Sequence, residues 1–199
     1  MQISDWLTAP KYGARFLDNN QMLDLGLRTT KFRNSSAVAK HIKKLSREFD
    51  LMLITEYFDE SLLLLRKLMC WSFDDILYLK QNVRADESRS QSLSEPLKDR
   101  IRKWNVADTR LYEYFNQTLW KKIAAYGPSF RRDLQYFKDK ETYLHNLCVG
   151  NATSITNTRR NLTKTRYNVV ENATDHCTLM INNEKNVFKR LWVKQESVA

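Results

Sequence analysis

Between Ser35 and Met69 the sequence passes from an amphipathic helix to a short apolar run and into a second helix that is apolar on most faces. In the first helix Val38, Ile42, Leu45 and Phe49 recur at helical spacing, while Lys40, Lys43, Lys44 and Arg47 fall outside that stripe. Ser35 or Ser36 supplies its cap. Asp50-Leu-Met-Leu-Ile-Thr55 follows directly. A continuous apolar run after an amphipathic helix predicts a buried parallel strand. Asp59 then caps a helix carrying Leu62–Leu65, Leu68 and Met69. A single parallel strand cannot satisfy its own backbone groups. The pattern therefore expects neighbouring strands from elsewhere, and a chain that is part of something larger.

The rest reads mainly as helix. Residues 1–34 are irregular, with one short element near Met22–Leu25. Asp74–Leu79 is a short helical turn or strand, and Gln81–Ser92 is a polar loop. Ser94-Glu95-Pro96 opens a helix to about Trp104. Asp108 starts another, with Leu111, Phe115, Leu119 and Ile123 on one stripe, ended by Gly127-Pro128. Phe130, Leu134, Phe137, Leu144 and Leu147 mark the next, up to Gly150. This gives three parts: a main body over 1–150, a polar Asn/Thr-rich loop or linker over 151–176, and a C-terminal helix over 177–199, densest at Leu179–Lys194.

The charge, +10 over 199 residues, says that the surface attracts anions. A plainly Lys-rich soluble surface is the simpler alternative. With 42% hydrophobic residues the chain can build a core. No stretch approaches the roughly 20 apolar residues of a membrane span, and the first residues show no signal peptide. Asn-x-Ser/Thr occurs at Asn34, Asn116, Asn151, Asn161 and Asn172, where composition alone predicts about two. The excess points to the secretory pathway, although three of the five lie in the Asn/Thr-rich segment. An oxidising compartment permits one disulfide among Cys70, Cys148 and Cys177, leaving one cysteine over.

Chemistry is sparse. There is no phosphate-cradling glycine motif and no nucleophile elbow. His41, His145 and His176 are isolated, and His176 beside Cys177 does not make a metal site, so no metal is expected. His41 lies on a lysine-rich face and reads as solvated. Glu56 sits just past the apolar run, where ligands gather in open α/β sheets, and is the acceptor-site candidate. It can equally complement a helix N-terminus, as Asp59 and Glu60 do. Asn82 and Arg84 are the candidates for a phosphate group, against a plain solvated loop. Trp104-Asn105 offers a sugar-stacking face, but Trp at a helix end is expected in the core.

The run Ile54-Thr-Glu-Tyr-Phe-Asp-Glu-Ser-Leu62 resembles the galactose-3-O-sulfotransferase family. So do Cys70-Trp71, Asp75-Ile-Leu-Tyr78, Asn82, Arg84, Trp104-Asn105, Asp108, Leu111-Tyr112, Phe115-Asn116 and Trp120. Similarity is good from about 20 to 150 and thinner beyond, with Asp24-Leu-Gly26 and Leu191-Trp192 weaker. The resemblance implies a P-loop-like α/β fold in three α/β/α layers, of which this chain supplies helices and one or two strands. It also implies sulfuryl transfer from 3′-phosphoadenosine 5′-phosphosulfate to the 3-hydroxyl of galactose in a glycolipid such as galactosylceramide, or in a glycan. The implied setting is the luminal side of the Golgi membrane, held by an anchor that this sequence does not show, with a possible homodimer. Asn116 matches a glycosylation sequon of the family.

The departures carry weight too. The family's Thr-His-Lys-Thr type loop, and the Arg and Ser that bind the 3′-phosphate, match nothing here. The chain is therefore expected to be the C-terminal half of the domain, inactive by itself, with the catalytic base upstream. The competing reading is a non-catalytic chain that binds anionic glycan or dimerises with a full-length partner. Nucleic acid is not an expected partner, because glycosylated luminal surfaces rarely meet it.

Overall fold

The computed structural model describes residues 18–80, 83–84, 93–157, 162–171 and 174–181. The chain forms two compact units, interleaved along the sequence. One comprises Met1–Lys67 and Ser92–Phe130, the other Leu68–Gln91 and Arg131–Ala199.

The first unit is helical. Its described helices are α1 (Asn20–Asp24), α2 (Ser35–Glu48), α3 (Phe58–Leu68, closing just past the unit boundary), α4 (Glu95–Trp104) and α5 (Val106–Tyr126). The central element is α5, about 31 Å long at 1.5 Å per residue. It packs against α1, α2 and α4. Its buried residues Ala107, Leu111, Phe115, Leu119, Ile123 and Tyr126 form the stripe read from the sequence, extended by one turn at each end. Helix α2 buries Val38, Ile42 and Leu45, but its cap is Asn34, not a serine. The Asn34 Oδ1 accepts the Ala37 N–H at 3.0 Å. Gly127, at φ 96°, ends α5 in a backbone conformation that glycine adopts without strain.

The expected parallel strand has no pairing partner among the described residues, and its neighbours were expected from elsewhere. Ile54, at the end of the apolar run 51–54, is extended. The buried Ser61 hydroxyl of α3 does the work of a neighbour. It accepts the Ile54 N–H at 3.1 Å and donates back to the Ile54 carbonyl at 3.4 Å. Leu53 is 44% exposed in this chain. Apolarity alone had suggested the strand. A single-turn 3₁₀ helix, Thr55–Tyr57, then leads into α3.

The second unit holds a 3₁₀ turn at Asp74–Ile76, β1 (Val83–Arg84), α6 (Phe130–Cys148), β2 (Val149–Asn157), β3 (Leu162–Val169) and α7 (Asp175–Ile181). The sheet order is β1-β3-β2 and both pairings are antiparallel. Val83 faces Thr165, and Asn157 faces Leu162. The polar segment expected as a loop is thus a β-hairpin over most of its length. Thr153, Ile155, Thr163, Thr165, Tyr167 and Val169 explain it, because β-branched and aromatic residues suit a pleated surface. The register slips between Val149 and Ala152. There a Cβ on Gly150 would stand 3.3 Å from the Val169 carbonyl oxygen.

The chain is mostly helical, as expected. Helix α7 starts at Asp175, and residues 182–199 of the anticipated C-terminal helix lie outside the described residues. Cys148 at the end of α6 and Cys177 in α7 form a disulfide, and both are fully buried with Leu79 and Leu144. Cys70 is the cysteine left over, and it is exposed.

Candidate functional site

Glu56 occupies the middle of the 55–57 turn, exposed, with no ion-pair partner among the described residues. The turn sets it beside aromatic side chains of α5. The Tyr57 ring meets the Trp120 ring edge to face, centroids 4.9 Å apart. The Tyr112 hydroxyl is held above the usual tyrosine range, first by partial loss of solvent, then by the Glu56 charge and by Tyr57. Like any tyrosine it is protonated at neutral pH, and its hydroxyl can donate. Tyr112 and Trp120 stand eight residues apart on α5, with Asn116 midway, so the three share a stripe. Trp120 is 44% and Tyr112 37% exposed, so their rings reach solvent.

The arrangement joins exposed aromatic rings, a free carboxylate and a phenol donor. A sugar needs this combination, because it presents C–H faces to rings and hydroxyls to polar groups. The sequence pointed to Glu56 alone. Trp120, Tyr112 and Tyr57 were visible only as parts of the family resemblance. The turn that brings them together lies where the sequence shows only the passage from an apolar run to a helix.

A reciprocal cap holds the two ends of this unit in place. Asn19 is fully buried and left-handed, at φ 50° and ψ 47°. Its Oδ1 accepts the Ala107 and Asp108 N–H groups at 2.6 and 3.0 Å, capping α5. The Asp108 carboxylate accepts the Gln21 and Met22 N–H groups at 3.1 and 2.8 Å, capping α1. Each helix start is thus closed by a side chain from the other. Asn105 completes the knot, its Oδ1 accepting the Asn19 N–H at 2.8 Å. Desolvation raises the Asp108 carboxyl from its ordinary value, against the lowering effect of the two N–H bonds and with a smaller push from Asp18 and Asp24.

Other expected residues land differently. Trp104 is not in the core. It is 43% exposed, with the Arg33 guanidinium 5.8 Å over its ring and the Arg33 side chain donating to its carbonyl at 2.6 Å. His41 is half-buried rather than fully solvated, with its Nε2 3.0 Å from the Leu25 carbonyl oxygen. His145 stacks edge to face on Tyr167 at 5.5 Å. His176 is exposed. No three His, Cys, Asp or Glu side chains gather as a metal site among the described residues. The Arg84 backbone pairs with Lys164 in the sheet, whereas Asn82 lies outside the described residues. Asn34 and Asn151 are exposed and Asn116 is half-buried, while Asn161 and Asn172 lie outside the described residues. Gly26 and Gly127 have nothing within 4 Å of where a Cβ would stand, so neither forms a tight phosphate cradle. The closest backbone approach at a glycine, Gly150, belongs to the hairpin bulge.

A galactose-3-O-sulfotransferase family model matches residues 3–168. The chain belongs to that family. Mouse galactosylceramide sulfotransferase is 37% identical to it over 145 residues, covering 72% of this chain and 34% of the relative. The human galactosylceramide sulfotransferase is 37% identical over 139 residues, with 69% and 33% covered. Mouse galactose-3-O-sulfotransferase 3 is 37% identical over 140 residues, with 69% and 32% covered. The chain thus spans about a third of the length of the curated relatives it matches. No solved structure matches it. No described helix is long and apolar enough to cross a membrane.

Proposed function

We propose that this chain supplies the acceptor-binding part of a galactose 3-O-sulfotransferase. The acceptor is a galactose-terminated glycolipid, such as galactosylceramide, or a glycan. The observation that carries this reading is the cluster of exposed Glu56, Tyr112 and Trp120 with half-buried Tyr57, inside the stretch that matches the family. In this reading Trp120 and Tyr57 receive the C–H face of the galactose ring. Glu56 accepts hydroxyl hydrogens and orients the ring, and Tyr112 donates to a ring oxygen.

The sulfate donor by family is 3′-phosphoadenosine 5′-phosphosulfate. The family's phosphosulfate-loop motif matches nothing in this sequence. Asn82 and Arg84 remain the candidates for approaching the donor's phosphates. The base that removes the 3-hydroxyl proton is assigned to sequence outside these 199 residues, in a P-loop-like α/β/α domain, and the chain alone is expected to be inactive. The Golgi lumen is supported by the buried Cys148–Cys177 disulfide and the five sequons.

A chimera tests the assignment. This chain replaces the matching third of mouse galactosylceramide sulfotransferase, and transfer of label from the donor to galactosylceramide is followed. Transfer to the 3-hydroxyl, reduced at least about tenfold by Glu56→Gln (~1.4 kcal/mol in the barrier), is expected. A folded chimera that sulfates another position, or that ignores Glu56→Gln, overturns the proposal.

A further inference from the structure

Away from the acceptor face, helix α2 displays a row of cations that nothing in the described structure neutralises. Lys40, Lys43 and Arg47 follow one another at helical spacing on the solvent side, and Lys31 joins them from a 3₁₀ turn, Thr29–Lys31. Only Lys44 has a carboxylate among the described residues, Glu48 at 3.6 Å. Like charges three and four residues apart destabilise a helix, so the sequence keeps this row at a cost. The side chains line an open groove of about 1010 Å³, whose apolar contribution comes from Leu27, Ala37 and Ala39.

We propose that this groove binds a linear sulfated glycan. The row offers charge at intervals along one helix face, as a chain with regularly spaced anions requires. The lining also holds His41 and one carboxylate, Glu48, beside Lys44, but no Phe, Tyr or Trp and only one large aliphatic side chain, so it lacks what a helix needs to enter a bilayer surface. The buried disulfide in the same chain belongs to an oxidising compartment, where sulfated glycans, rather than nucleic acids, are the abundant polyanions. The site is separate from the acceptor face, and its failure would leave that reading standing.

The test titrates the full 199-residue chain with a heparin hexasaccharide by calorimetry. The variant is Lys40→Gln/Lys43→Gln/Arg47→Gln. The control removes equal charge at exposed positions elsewhere, Lys121→Gln/Lys122→Gln/Arg131→Gln. Far-UV circular dichroism confirms that both variants keep their helices. The groove variant is expected to bind about tenfold or more weakly, and the control within about twofold of the parent. The slope of log affinity against log salt should fall by about 2 to 3 in the groove variant, as counterion release predicts for lost cation contacts. Equal losses in both variants would reduce the effect to net charge and overturn the proposal. So would tighter binding to phosphatidylserine vesicles, or to a DNA duplex, at the same salt.

Discussion

Replacing Asn19 with alanine should destabilise the first unit far more than a loop substitution normally does. The side chain is fully buried and closes the start of α5 through the Ala107 and Asp108 N–H groups. Without it those two donors lose their acceptor, at about 1 to 1.5 kcal/mol each at the lower end for buried groups. Alanine must also adopt the left-handed conformation at φ 50°, which costs about 1 kcal/mol or more. The expected loss is about 3 to 4 kcal/mol, a large part of the ~5–15 kcal/mol that typically holds a domain together. Asn19→Gly removes the same hydrogen bonds without the backbone penalty, so it should lose about 1 kcal/mol less. Urea unfolding followed by tryptophan fluorescence gives both values. The order should be parent, then glycine, then alanine. A loss below about 0.5 kcal/mol for alanine, typical of an unremarkable surface site, would refute the capping argument. Equal losses for the two variants would refute the strain argument.

Further outcomes follow from the same structure. Cys148→Ser should cost about 3 to 4 kcal/mol through the loop of 29 residues that the disulfide closes, read as a lower unfolding midpoint under non-reducing conditions. Asp108 binds its proton more tightly in the folded state, so its contribution to stability is full below the ordinary carboxylate range and is lost as pH rises through its raised value. Relative to Asp108→Asn, the parent should therefore be favoured most at low pH, and melting curves across the acid range should show that difference shrinking as pH increases. In secreted protein, glycosidase treatment should remove mass that Asn34→Gln and Asn151→Gln each reduce. Asn116→Gln should alter galactoside recognition as well, because it lies between Tyr112 and Trp120.

The periodic elements were legible because their spacing is local. Val38, Ile42 and Leu45, and again Leu111, Phe115, Leu119 and Ile123, mark the buried faces of α2 and α5 without further information. The reciprocal cap was not legible, since Asn19 and the N–H groups on α5 that donate to it are more than 85 residues apart in sequence. Asn19 therefore looked like one polar residue of a loop. The tie between Ile54 and Ser61 at the end of the apolar run was not legible, because hydrophobicity does not show which side chain meets the backbone there. The hairpin was missed for another reason. Its threonines read as polar, although their β-branching was the available signal. At the candidate site, Glu56 was singled out by its position after the apolar run. Its aromatic neighbours come from a helix that begins some fifty residues later, and only folding joins them.

The most direct test is saturation-transfer NMR on the 199-residue chain with methyl β-galactoside and methyl β-glucoside side by side. The structure predicts contact with the galactoside, strongest at the protons of its C–H face, and loss of that signal in Trp120→Ala. Equal signals from both sugars, or a galactoside signal unchanged in Trp120→Ala, would contradict the assignment of this face to galactose.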